Sequence, residues 1–387
     1  MLKKNVQVLR TGIKNYLFGL DKVIILVALA LSAFGVVVIR SAASSIPRCV
    51  PVQIMGICLG LVCMLIIARM DFDWLGDLSP AIVTVSCVLL LFTAFFGKTT
   101  GGNTNWISLG KIDVQPSEFA KAAFIVTMSA HLSRFDGETI RFKDLLLVCV
   151  HFLLYFVPIV LQKDIGSALI YAGVFVVLLF VAGVQYRYFL IAGVGILSAI
   201  PIVWQFLQQY QKSRIIYGFQ PELDPLHYGY QPLVSRMALA SGKFTGMGYM
   251  EGLQIQNDLL PAKHTDFIYA VVGEEFGFVG CVSVLAGIML IVGLIFLAVA
   301  KTESPKGKLI CIGSASVIIL QTCINIGMVL GLSPVIGVTL PFMSYGGSSV
   351  LSSFIILGLV QSVRVKENSA KALQFGSRRI KRSATRK

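Results

Sequence analysis

Leu259–Gly277 reads LLPAKHTDFIYAVVGEEFG, and it opens into an apolar run from Phe276 to Ala300. A bilayer core of about 30 Å needs ~20 apolar residues in helical form, and this run supplies them. Yet Asp266 stands at its entrance, and Glu274 and Glu275 lie within its first turns. Charges at that depth are costly unless they are paired or wetted, and they mark function by default. The stretch therefore predicts a membrane helix whose outer end holds acids for a purpose.

The whole chain has the same character. Its 387 residues are 56% hydrophobic and 13% charged, and the mean hydropathy is +0.80. Water-soluble domains carry about 25% charged residues, so the composition excludes that class and predicts an all-α polytopic membrane protein. The net charge of +14 does not indicate nucleic-acid binding, because the basic residues sit between and after apolar runs, as loop charges do. The basic tail SRRIKRSATRK reads as a topology anchor that touches anionic lipid heads. The first residues lack a short apolar segment with a small-residue cleavage site, so no cleaved signal is expected. Eight cysteines (49, 58, 63, 87, 149, 281, 311 and 323) fall mostly within apolar runs with no CxxC pair. They read as small hydrophobes, and the four scattered histidines argue against a metal cluster.

About ten spans of suitable length begin near Leu20, Val50, Ser79, Ser117, Asp144, Gly166, Tyr186, Phe267, Lys308 and Ser344. With the N-terminus inside, the inner segments hold most of the Lys and Arg, which places both termini in the cytoplasm. The expected organisation is a cytoplasmic lead-in at 1–19, a membrane domain at 20–364 and a basic tail at 365–387. A long outer loop at 205–265 separates spans seven and eight. That loop mixes aromatics, Gly, Pro and both charge signs, so it is expected to be ordered. Within it RMALASG predicts a short helix ended by Gly242.

Four polar clusters fall at the outer ends of spans. HTDF contains Asp266, which alone would read as a helix-start acid suited to the dipole. Glu274 and Glu275 lie deeper and read as supporting or helix-pairing groups, one of them expected to pair with a cation on a neighbouring helix. GGNTNWISLGKIDVQPSEFAK, starting at Gly101, suggests a flexible loop with Trp106 as an interface aromatic, then a helix begun by Pro116. Glu118 and Lys121 there are three apart and can pair along one face. LQKDIGSAL places Lys163 and Asp164 in a tight turn. GVTLPFMSYGGSS, Gly337 to Ser349, suggests irregular backbone lining a cavity. Four clusters at one face outline one cavity, suited to a substrate with an anionic part and hydroxyls.

These motifs, in this order from Gly101 to Ser349, resemble the SEDS family (shape, elongation, division, sporulation), which includes RodA and FtsW. HTDFIYAVVGEEFGFVG looks slightly more like RodA. The resemblance implies a peptidoglycan glycosyltransferase that polymerises lipid II outside the cytoplasmic membrane, with a class B penicillin-binding protein as partner. It gives Asp266 the role of essential acid, here the general base. Trp106, Glu118, Lys121, Asp164 and Ser344 fall on other motif positions and are expected to meet substrate. Arg214, Arg236, Lys243 and Lys121 are the expected cations for the departing undecaprenyl pyrophosphate. No fixed cofactor is implied, and a divalent cation (Mg or Mn) could share that task. Two departures stand out: Lys243 where the family usually has Gly, and Lys163 where it usually has Pro. A lipid flippase, which needs a polar path through the midplane, is the first alternative. A non-catalytic scaffold is the second.

Overall fold

The structure, a computed structural model, describes residues 19–384 apart from 101, 109, 111–112, 137–139 and 207. The cytoplasmic lead-in up to residue 18 therefore lies outside the described residues, as do the side chains of the tail from 370 onward. Ten long helices carry the fold: α1 Lys22–Ala42, α2 Cys49–Ile67, α4 Ser79–Phe96, α5 Pro116–Leu132, α6 Phe142–Leu161, α7 Ile165–Val181, α8 Tyr186–Phe206, α12 Ile268–Lys301, α13 Pro305–Val329 and α14 Gly347–Ala384. Between them lie the short α3 Phe72–Asp77 and three loop helices, α9 Gln209–Phe219, α10 Tyr230–Ser241 and α11 Leu253–Gln256. Every expected span is met by one of the ten. Seven of them (α1, α2, α4, α6, α12, α13 and α14) are long and apolar enough to cross a membrane, and α7 and the first part of α8 are shorter apolar helices. α5 is the polar one, because it carries Glu118, Lys121 and His131. α14 runs unbroken through the expected boundary at 364.

Burial separates inner from lipid-facing helices. In the most apolar window, 78% of α14 and 67% of α13 is buried, against 11% of α4. α14 lies along α2, where Gly56 and Gly60 let the backbones meet: a Cβ on Gly56 would stand 3.2 Å from Gly347 Cα. Small residues four apart at such a seam are how membrane helices approach closely. At the opposite end of the helices from Asp266, ion pairs tie the bundle together. Asp21 pairs with Arg364, and Asp73 with Lys306 and Lys366.

Two irregular features shape the site end. The stretch expected to be a flexible loop is a small antiparallel sheet, β1 Lys98–Thr100, β2 Asn103–Ser108 and β3 Asp113–Val114, in the order β1-β2-β3. Thr104, Trp106 and Ile107 are strand-favouring residues, and the Lys98–Asp113 ion pair at 3.0 Å braces the outer strands. The sheet is pinned to the end of α6 by Thr104 N–H donating to the Gln162 carbonyl, 2.9 Å. The second feature is a break inside α12 at Gly277 (φ 64, ψ −161). The backbone groups freed there are met by the loop after α10: Met247 and Gly248 N–H donate to the carbonyls of Glu274 and Glu275, and Phe278 and Val279 N–H to those of Lys243 and Phe244. Irregular backbone at membrane depth is tolerated only when satisfied by protein in this way. As expected, the RMALASG segment is helical and ends at Gly242. Gly242 lies so close to α12 that an added Cβ would fall 1.8 Å from the Gly273 carbonyl oxygen. The second half of the long loop is thereby held against α12 and delivers residues 260–267 to a fixed place.

Candidate active site

Asp266 stands at the end of that delivered segment. Its main chain is clamped from two sides. Asn325 Nδ2, from α13, donates to the Asp266 and Val338 carbonyls, each at 2.7 Å. The Ser344 hydroxyl donates to the Thr265 carbonyl at 2.7 Å, and Tyr345 N–H to the His264 carbonyl at 2.9 Å. The carboxylate itself has no such support. Phe267, not Asp266, occupies the cap position of α12, and no side chain caps that helix. The capping reading of Asp266 therefore fails. No hydrogen bond to its carboxylate is found among the described residues, and burial pushes its pKa up to about 6, with nearby Asp164 adding to the rise. A carboxyl that titrates near the working pH suits a general base.

Asp164 has the opposite surroundings. It caps α7, with Oδ1 accepting from Ser167 N–H at 3.0 Å. Its Oδ2 accepts from the Ser167 hydroxyl (2.9 Å), Asn105 Nδ2 (2.8 Å) and Gln115 Nε2 (3.0 Å). This buried carboxylate joins β2, the entry to α5 and the start of α7. Two aspartates at one end of the bundle thus differ in kind: one is fully hydrogen-bonded, the other left open.

Asp266 lines a cavity of about 2400 Å³. Pockets for small ligands span about 300–1,000 Å³, so this one has room for substrates larger than those. Trp106 and Gln115 line it from the sheet and the entry to α5. Val52, Met55, Gly56 and Leu59 of α2 also line it. Their spacing puts them on one helix face, an apolar ridge leading away from the polar end. Met55 and Leu59 are 40% and 50% exposed, as expected of a face open to lipid.

The residues expected to meet substrate part ways. Asp266 and Trp106 are brought together on the lining. Ser344 is 1% exposed and acts on the backbone: it accepts from Leu340 N–H at 2.8 Å while donating to Thr265. Glu118 and Lys121 form a buried ion pair at 2.7 Å, with side chains 8% and 2% exposed, off the lining. Lys121 is thus committed to Glu118, not to a departing anion. Arg236 is committed too: Nε and Nη2 donate to the Leu330 and Gly331 carbonyls at the end of α13, and Nη1 to Glu222 at 2.7 Å. Lys243 is exposed but off the lining, at the left-handed turn after α10 (φ 48). Arg214 belongs to α9, and its side chain lies outside the described residues. Glu274 and Glu275 pair with no described cation. Glu274 accepts from Gln254 and Ile255 N–H at 2.8 and 3.1 Å, capping α11, and Glu275 accepts from the Ser41 hydroxyl. Amide dipoles and a hydroxyl take the place of the expected cation.

Sequence reasoning missed Gln53 and Asn325, both wholly buried. Gln53 donates to the Ser344 carbonyl (3.0 Å) and accepts from Gly346 N–H (3.1 Å). A lone amide inside an apolar run was the available signal, since such groups in membrane helices find partners across the bundle.

Comparison with known proteins gives the family. A family model described as cell cycle protein, FtsW/RodA/SpoVE, matches residues 21–369. The chain belongs to the FtsW/RodA/SpoVE family. Among the family's curated members, the peptidoglycan glycosyltransferase MrdB of Escherichia coli K12 is 34% identical over 350 residues, covering 89% of this chain and 93% of that one. A probable peptidoglycan glycosyltransferase FtsW of Geobacter sp. strain M18 is 32% identical over 364 residues, covering 91% and 98%. Among solved structures, a chain from a peptidoglycan synthase complex described as coordinating polymerization and crosslinking superposes with TM-score 0.79 at 29% identity, covering 90% and 98%. The rod shape determining protein RodA of Thermus thermophilus gives TM-score 0.68 at 26% identity, covering 89% and 96%.

Proposed function

We propose that this FtsW/RodA/SpoVE family member is a peptidoglycan glycosyltransferase that polymerises lipid II, with Asp266 as the general base. One observation carries the reading: an open carboxylate with its pKa raised to about 6 lines a large cavity that runs from a polar end to an apolar ridge. Asp266 takes the proton from the 4-hydroxyl of one sugar as that oxygen attacks the anomeric carbon of another. A carbon–oxygen bond forms, the bond to undecaprenyl pyrophosphate breaks, and attack opposite the leaving group inverts the configuration. The α2 ridge guides the polyprenyl chain, and the polar end holds the sugars. The described lining comes from one end of the bundle, from the starts of α2, α5, α7 and α14 and the ends of α6 and α13, which suits chemistry at one membrane face. With both termini cytoplasmic, that face is the outer side of the cytoplasmic membrane, and the partner is a class B penicillin-binding protein. A divalent cation (Mg or Mn) enters this reading as an ion carried with the diphosphate. Among the described residues, no three His, Cys, Asp or Glu side chains gather to hold one.

The test is product formation from lipid II in detergent, with wild type and Asp266→Asn, each with and without the transpeptidase, and glycan products resolved on a gel. Ladders from wild type that vanish in Asp266→Asn are expected. No ladder from wild type with its partner present would overturn the assignment.

A further inference from the structure

The turn between α6 and α7 holds a cation that the mechanism above does not use. α6 ends with Asp164 N–H donating to the Ile159 carbonyl (3.3 Å) and Lys163 N–H to the Val160 carbonyl (2.9 Å). This paired closure places Lys163 at its left-handed position, φ 61. Glycine normally fills that position, because a Cβ there is strained. The turn cannot relax by lengthening, since the next residue, Asp164, already caps α7. The backbone would be better served by glycine, so what Lys163 adds is its side chain. Strained residues of this kind gather at functional sites.

That side chain is exposed and lines the cavity. Two lysines line it among the described residues, Lys98 and Lys163. Lys98 is paired with Asp113 at 3.0 Å, whereas Lys163 is in no described ion pair. Lys121 and Arg236 are committed elsewhere. A cavity containing Asp266 and backed by Asp164 repels an anion unless a cation offsets them. An ammonium on a flexible stem is a compact charge that can follow a diphosphate as it departs.

We propose that Lys163 binds the diphosphate of the lipid-linked substrate in this cavity. This rests on the proposed function and adds to it the residue that holds the anion. The probe is undecaprenyl pyrophosphate alone, titrated onto the full chain in detergent free of anionic lipid, with undecaprenyl phosphate as comparison. Lys163→Gly removes the charge and relieves the backbone, so loss of binding in it is not loss of fold. We expect Lys163→Gly and Lys163→Gln to bind the pyrophosphate about tenfold more weakly, with Lys163→Arg close to wild type. Undecaprenyl phosphate should be affected less. Lys243→Gly, which makes the same backbone change off the cavity, should bind as wild type does. Unchanged affinity in Lys163→Gly overturns the proposal. So does an effect seen only when phosphatidylglycerol is added, which would make the lysine a headgroup contact. Binding needs no turnover, so the two readings fail separately. Lys163-dependent binding without any polymer from wild type would sink the glycosyltransferase, and polymer with unchanged Lys163→Gly binding would sink the anion site.

Discussion

Replacing Asp266 with Asn should abolish activity and stabilise the protein, and the stability gain should depend on pH. The folded-state pKa of about 6 lies above the unfolded value of about 3.9. The folded chain therefore holds this proton more tightly than the unfolded chain does, and ionising Asp266 weighs against the fold. The sign follows from linkage: the cost is absent below about pH 4, grows between about 4 and 6, and is complete above. A shift of two units corresponds to ~3 kcal/mol. Asn has the same shape and no charge, so Asp266→Asn should gain up to that amount at pH 8 and almost nothing near pH 4. For a chain of this size, the unfolding midpoint should rise by about 2–4 °C at pH 8. Thermal unfolding in detergent, followed by tryptophan fluorescence at matched pH values, reads the difference. Loss of the base alone should lower the polymerisation rate ~10²–10⁴-fold. A variant no more stable than wild type at pH 8, or equally stabilised at pH 4 and pH 8, would refute the claim that Asp266 is a partly buried carboxylate without hydrogen-bond partners.

Asp164→Asn removes the charge that adds to the Asp266 shift, so the acidic limb of the pH–rate profile should move to lower pH. Burial, the larger cause, remains, and the move should be less than about one unit. Asn325→Ala releases the Asp266 and Val338 carbonyls. It should cost about 1–3 kcal/mol of stability, and kcat should fall more than KM rises in steady-state assays. Lys121→Met leaves Glu118 buried without its partner and should cost about 3–5 kcal/mol, whereas Lys121→Met with Glu118→Gln should recover most of the stability. Near-normal polymer from that double variant would fit the pair's place off the lining. Gly242→Ala drives a Cβ into the Gly273 carbonyl and should destabilise by about 3 kcal/mol or more. The adjacent Lys243→Gly relieves a left-handed lysine and should be neutral or stabilising by about 1 kcal/mol. Thermal melts of the two variants side by side check both.

The helices were legible because lipid imposes one rule along their whole length. An apolar run of fixed length must be a helix, and its ends fall where polarity returns. The start of α6 expected near Asp144 and found at Phe142 shows how little packing adds to that signal. The proposed base was legible as a motif, but its state was not. An Asp at a helix start, taken alone, reads as a cap, and only the geometry shows Phe267 in the cap position. The cations were the least legible. Lys121, Arg236, Lys243 and Lys163 look equivalent on the page, since each is a basic residue near a motif. What distinguishes them is which acceptors surround them, and those come from residues far away in sequence. Arg236 meets the end of α13 across 94 positions.

The contrast between the two aspartates carries the argument from fold to chemistry. Asp164 receives four hydrogen bonds from three elements, so it is a structural joint. Asp266 is held in place by its main chain instead. Asn325, Ser344 and Tyr345 donate to the carbonyls of Asp266, Thr265 and His264, which fixes the side chain's origin without lowering its basicity. This separation lets one residue be both precisely located and chemically available. It also explains why Gln53 and Asn325 are buried in helices that lipid would otherwise fill with apolar residues. They support the loops that carry the proposed base, and donors on the carboxylate itself would have quenched it.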